Sequence, residues 1–201
     1  MDRTGTLHAY LDESRLRVGD GPENLYVMVA VVVASSDVLG VQARLRELLP
    51  AGVRRLHFRD DKPSVRRHHL EVLAAWAGAG RLEGFEAHAR IATARREHAA
   101  RERCLSALAG ALGQRGVGEL VIESRQEHQD QRDSRTLLAC REHGVVGRDL
   151  QWRFGRPISE PLLWPPDLLA GVLGSGHLGR ASALRAIVPD RLAQQVWSGR
   201  A

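Results

Sequence analysis

The run Leu25-Tyr26-Val27-Met28-Val29-Ala30-Val31-Val32-Val33-Ala34 constrains this chain more than any other segment. Its hydrophobicity is unbroken and β-branched valine dominates it, the mark of a strand covered on both faces. It is far shorter than the ~20 apolar residues a membrane helix needs. The segment therefore predicts the interior of a sheet with a layer of structure on either side. Before it, Thr6-Leu7-His8-Ala9-Tyr10-Leu11 alternates in polarity and runs into Asp12-Glu13-Ser14. Residues 17–24, with Gly19-Asp20-Gly21-Pro22, are turn-rich, so the two segments predict an antiparallel hairpin.

The rest of the chain alternates between the two periodicities. Ser35-Ser36-Asp37 supplies cap chemistry for a helix over 38–49, stopped by Pro50 and Gly52. Arg55-Leu56-His57-Phe58 reads as a short strand, and Pro63-Ser64 opens a helix to residue 77 with Leu70, Leu73 and Trp76 on its apolar face. Residues 84–92 alternate as a strand, and Thr93 caps a long helix over 94–112. Glu119-Leu120-Val121-Ile122 is a compact strand ending at Glu123-Ser124, followed by a polar helix over 126–143 and a further strand over 150–154. Pro165-Pro166-Asp167 opens a last helix over 168–173, with proline where a helix start tolerates it. No repeat or linker divides the chain. The fold class is α/β: one domain over 1–179 with a mixed central sheet flanked by helices, and a basic amphipathic tail over 180–201 packed on it.

Composition sets outer limits on function. The chain has 201 residues, 43% hydrophobic and 26% charged, which is ordinary for a globular domain. Cys104 and Cys140 are too few for a disulfide scaffold. With no export leader legible in Met1-Asp2-Arg3-Thr4, free thiols and a cytoplasmic location are the expectation, with no membrane partner. The net charge of +5 and the sequence pI of about 10.1 permit a nucleic-acid partner. Lys62 is the only lysine among 29 basic residues, which points to coding bias as much as to a binding surface. Aromatics at 4% argue against a face of base-stacking rings.

Acidic residues fall where elements end: Asp12 and Glu13 after the first strand, Glu123 after a later one, Asp167 at a helix opening. Adjacent strands leaving one edge of a sheet bring such groups together, and clustered carboxylates repel unless a cation neutralises them. All-oxygen ligands suit Mg²⁺ or Mn²⁺. Two such ions ~3.5–4 Å apart can activate water and stabilise the leaving oxygen of a phosphodiester. Asp12, Glu123 and Asp167 are thus the candidate catalytic residues. With Glu13 as a fourth group they are the candidate ligands of a two-ion Mg²⁺ or Mn²⁺ site. Arg59, Lys62, Arg66 and Arg67 are candidates for contacts to substrate phosphates. Each piece alone has a plainer reading: a polar strand end, a helix-dipole carboxylate, a solvated helix face.

Tyr10-Leu11-Asp12-Glu13-Ser14 followed by the valine-rich strand resembles the start of the ribonuclease-H-like proteins grouped as domain of unknown function 3800. Leu56-His57-Phe58-Arg59 before a basic helix is similar to the middle of that family. Leu162-Leu163-Trp164-Pro165-Pro166-Asp167-Leu168-Leu169-Ala170-Gly171 resembles its late signature. The likeness runs from about residue 6 to 175. It implies a ribonuclease-H-like fold with Asp12 as the first-strand carboxylate, Glu123 ending the fourth core strand, and Asp167 on the late helix. Where this chain has Glu123 the family commonly carries Asp, one methylene shorter. The family's activity is unassigned, so two functions stand: a metal-dependent nuclease, or a catalytically silent binding or interaction module on the same fold.

Other motifs carry less. Gly174-Ser175-Gly176-His177-Leu178-Gly179 matches G-x-G-x-x-G, but it follows a helix and too little chain remains for a nucleotide-binding βαβ unit, so no nucleotide cofactor is expected. Cys140 and His143 lack a second pair to make a zinc site. His57, His68 and His69 are among nine histidines, a number that makes chance placement easy.

Overall fold

The computed structural model describes residues 6–93 and 96–200. Strand β1 (Leu7–Arg17) turns back through residues 18–23 into β2 (Asn24–Ala34), and the two pair antiparallel over their whole length, Leu7 opposite Ala34 and Arg17 opposite Asn24. A 3-10 turn (Ser35–Asp37) leads into α1 (Val38–Glu47), then α2 (Pro63–Gly78) and β3 (Leu82–Ile91). Next come α3 (Glu97–Arg115), β4 (Val117–Glu123), α4 (Glu127–Glu142) and β5 (Gln151–Gly155). Helix α5 (Trp164–His177), the short α6 (Ser182–Arg185) and β6 (Gln194–Arg200) complete the chain.

The six strands lie in the order β5-β4-β1-β2-β3-β6. β2 is antiparallel to both β1 and β3, whereas β4 is parallel to β1, β5 to β4, and β6 to β3. The valine-rich strand is therefore interior, and residues Leu25–Val33 are buried without interruption. Its alternate residues feed two separate cores. Val27, Val29 and Val31 join Tyr10 and Val121 under α1, α2 and α5. Tyr26, Met28 and Ala30 join Ala9, Leu11 and Ile122 under α3 and α4. A two-sided sheet needs strands apolar on both faces, which is why β2 reads as a run and not as an alternation.

Four segments differ from the sequence reading. The first strand does not end at Leu11: β1 runs on to Arg17 because β2 stays paired with it, so Asp12 and Glu13 lie inside the strand and not after it. Arg55–Phe58 is a turn and not a strand. Only Leu56 of that segment is fully buried, and its backbone donors go to side chains: His57 N–H to Asp61 at 3.3 Å and Phe58 N–H to Asp167 at 2.7 Å. Helix α5 starts at Trp164 and runs to His177, so Asp167 lies inside its first turn and the two prolines occupy positions that need no backbone donor. The start read at residue 94 lies outside the described residues, and α3 is seen from Glu97. The segment read as a tail supplies α6 and the edge strand β6, which hydrogen-bonds β3.

The glycine motif at 174–179 has a packing explanation. A Cβ on Gly174 would stand 2.4 Å from the Leu16 side chain, so this glycine lets α5 approach the sheet closely. Gly179 has φ 69°, a left-handed conformation suited to the end of a helix. Cys104 and Cys140 are free and buried, and burial pushes the Cys104 thiol up to about 12.

Candidate functional site

Asp12 sits in β1 where the pairing with β4 runs out, one residue beyond Leu11 opposite Ile122. Alternation along β1 puts Tyr10 and Asp12 on the α5 side of the sheet and Leu11 and Glu13 on the α3 side. Glu123 is the last residue of β4 and shares its face with Val121, so it emerges beside Asp12. The first turn of α5 then lays Asp167 over the same edge. Asp12 and Glu123 lie within side-chain hydrogen-bonding reach, and both Glu123 and Asp167 act on Asp12 electrostatically. The structure brings together the three carboxylates that the sequence singled out.

The electrostatics of this group are unfavourable as they stand. Asp12 is 6% exposed, and its Oδ1 accepts the Glu13 backbone N–H at 2.7 Å. Burial, then the neighbouring Glu13 and Glu123 carboxylates, hold its carboxyl well above the usual range. Burial also raises Asp167, even though the Phe58 N–H and His57 pull the other way. Among the described residues no Arg, Lys or His forms an ion pair with Asp12 or Glu123; Asp167 has only His57 Nε2, at 4.0 Å from its Oδ1. Carboxylates crowded without a counter-charge are the donor set that a hard divalent cation neutralises, so the residues fit Mg²⁺ or Mn²⁺. The group is open: among the described residues, three ligand atoms close to within 4.8 Å of one another in a different set, Glu86, His88 and His177.

Glu13 is not part of the carboxylate group. It projects to the opposite face, where its carboxylate lies 2.7 Å from Arg101 and 3.6 Å from Arg125. Arg101 in turn holds Asp133 at 2.6 Å and donates to the Tyr26 hydroxyl at 3.0 Å, forming a buried ionic network between β1, α3 and α4. A strand alternates faces, so consecutive acidic residues cannot both serve one site.

The proposed phosphate contacts divide. Arg59 is exposed and donates to the Arg15 carbonyl at 3.2 Å. Arg66 stacks over the Phe58 ring at 4.5 Å and donates to the Asp61 carbonyl, which places both near the loop that touches Asp167. Lys62 is exposed as the residue preceding α2. Arg67 lies on another face of α2, lining a cleft with His68, Glu71 and Leu184, away from Asp167.

Two features of the site went unread in the sequence. One is the 55–58 loop, whose His57 and Phe58 N–H engage Asp167 and whose Phe58 ring packs on Gly171 so closely that a Cβ there would stand 2.2 Å away. The other is a cleft of about 540 Å³ beginning at Ser124, next to Glu123, and lined by Arg125, Arg135 and Arg156 together with Glu127, Asp130 and Phe154. These arginines come from β4's end, α4 and the turn after β5, so no sequence spacing could have revealed their convergence.

No family model matches the chain, and no curated protein matches it. Among solved structures it is similar to the PCNA:RNase HII complex from Archaeoglobus fulgidus, with a TM-score of 0.50 and 15% identity over 88% of this chain and 75% of that one. A second likeness is to LC9-RNase H1, a type 1 RNase H with the type 2 active-site motif, at a TM-score of 0.29 and 15% identity over 98% of this chain and 64% of that one. Among the described residues no helix is long and apolar enough to cross a membrane. By the first of these likenesses and by its strand order, the chain has the ribonuclease-H-like α/β fold.

Proposed function

We propose that the protein is a divalent-metal-dependent nuclease that hydrolyses phosphodiester bonds in nucleic acid. One observation carries the reading: Asp12, Glu123 and Asp167 converge at one sheet edge, with Asp12 buried among carboxylates and without a basic partner among the described residues. Fold likeness to the RNase HII structure agrees with it. We also propose membership of the domain of unknown function 3800 family, on the Tyr10–Ser14 and Leu162–Gly171 motifs.

Asp12 and Glu123, with Asp167 opposite them on α5, would hold Mg²⁺ or Mn²⁺. Such ions supply a water nucleophile at neutral pH and charge stabilisation at the leaving oxygen. Asp12 contributes a rigid ligand, because its backbone pairs with Val29 of β2 one residue beyond the last β4 pair and its Oδ1 is held by the Glu13 N–H. The Phe58 N–H and His57 orient the Asp167 carboxylate. Arg135 and Arg156 line a cleft that begins at Ser124, shared with Glu127 and Asp130, and would hold a strand through its phosphates. Arg59, Lys62 and Arg66 would do so near the 55–58 loop. Such contacts carry little sequence information.

A second reading, a silent binding module, has one observation in its favour. Oδ2 of Asp167 already accepts the Phe58 N–H at 2.7 Å, which occupies one oxygen of the ligand set.

The test is a panel of labelled single-stranded, duplex and hybrid substrates with Mg²⁺ or Mn²⁺, comparing wild type with Asp12→Asn. Cleavage should need the cation, tolerate many sequences and fall as salt rises. It should vanish in the variant. Cleavage that survives Asp12→Asn places the activity elsewhere, and a wild type inert on every substrate establishes the silent module.

A further inference from the structure

We propose that Glu86, His88 and His177 form a second metal site, for a zinc-class cation, with one coordination position open to water. The site is separate from the carboxylate group and independent of the nuclease reading. Glu86 and His88 project from β3 on the α5 side, opposite Val29 and Val27 of β2. His177 ends α5 and reaches down to them. Oε1 of Glu86 lies 2.9 Å from His88 Nδ1 and forms a short contact with His177 Nε2. The two imidazole rings are 4.2 Å apart between centroids, and one donor atom from each residue lies within 4.8 Å of the other two.

The Glu86 side chain is 3% exposed and, among the described residues, faces no arginine or lysine. A carboxylate taken out of water needs a compensating charge, and neutral imidazoles supply dipoles but no charge.

The donor set selects the metal. Two imidazoles and one carboxylate suit borderline cations such as Zn²⁺, whereas Mg²⁺ prefers oxygen throughout. Ligand atoms of a tetrahedral zinc at ~2.0–2.2 Å stand roughly 3.4 Å apart, so the observed spread needs only small side-chain rotations. Three protein ligands leave the fourth position for water. His177 is 32% exposed, which gives an ion a way in from solvent. Binding would tie the end of α5 to β3, while the start of the same helix carries Asp167.

The experiment uses the full chain, stripped with a chelator and then titrated calorimetrically with zinc chloride, with magnesium chloride as a control. Wild type should take up one zinc more than His177→Ala and His88→Ala. Saturating zinc should raise its melting temperature, by about 5–10 °C at a hundredfold excess over Kd. Cobalt in place of zinc should give the intense visible absorption of a tetrahedral site in wild type and none in His177→Ala. His177 is partly exposed at a helix end, so that variant should fold, and far-ultraviolet circular dichroism checks it. Asp12→Asn should keep this zinc, which separates it from the carboxylate group. A wild type that binds no zinc, or equal uptake by wild type and a folded His177→Ala, overturns the proposal.

Discussion

Asp12 and Glu13 are neighbours in one strand and meet opposite fates. Glu13 enters a buried network with Arg101, Arg125 and Asp133, where each charge has a partner. Asp12, on the other face, is more deeply enclosed but is surrounded by further acids. Glu13's face turns acidity into a cross-link between β1, α3 and α4. Asp12's face keeps an uncompensated charge, which costs stability and is retained where something outside the chain is to be bound. The contrast separates a structural carboxylate from a functional one more clearly than residue type could.

The largest effect expected is on activity. Asp12→Asn should lower cleavage by at least ~10²-fold, since metal assistance supplies several kcal/mol of transition-state stabilisation. Without metal, the same variant should melt at an unchanged or slightly higher temperature, because a crowded charge is gone; a marked fall in melting temperature would mean that Asp12 is structural after all. On the other face the order reverses. Arg101→Met should cost ~3–5 kcal/mol by stranding Glu13 and Asp133. Calorimetric unfolding would show this as a large drop in melting temperature, and adding Glu13→Gln with Asp133→Leu should recover much of it.

Gly171→Ala should be milder, ~1–3 kcal/mol, because the new methyl would displace the Phe58 ring. That shift would also loosen the Phe58 N–H from Asp167, so metal affinity measured by titration should fall in step with stability. The smallest effect is the pH dependence. The Asp12 and Asp167 carboxyls are raised in the folded state, so their contribution to stability is full below the ordinary carboxylate range and fades as pH climbs through their folded values. Melting of the metal-free protein from acid to neutral pH should show that decline, and Asp12→Asn should flatten it. Divalent affinity should rise over the same interval, as protons cease to compete.

Several of these features were legible in residue order alone. The doubly apolar run at 25–34 declared an interior strand, the alternation before it declared its partner, and both paired as read. Asp12, Glu123 and Asp167 stood out as element ends, which holds for Glu123 and Asp167; Asp12 lies inside β1, and it meets them because the pairing of β1 with β4 stops one residue before it. The sequence determined these because they depend on periodicity, which is local. It erred on Arg55–Phe58, whose apolar residues look like a short strand but whose backbone donors are claimed by Asp61 and, from far along the chain, Asp167. Alternation along β1 separates Glu13 from Asp12 only once both are known to lie inside the strand, and which of their two faces carries Arg101 is decided by where α3 packs. The Glu86–His88–His177 cluster was similarly hidden: Glu86 and His88 share a face at a spacing of two, but His177 lies 91 residues beyond Glu86. Tertiary structure alone decides such meetings, because compensation of a charge is a property of distance in space, and sequence separation carries almost no information about that distance.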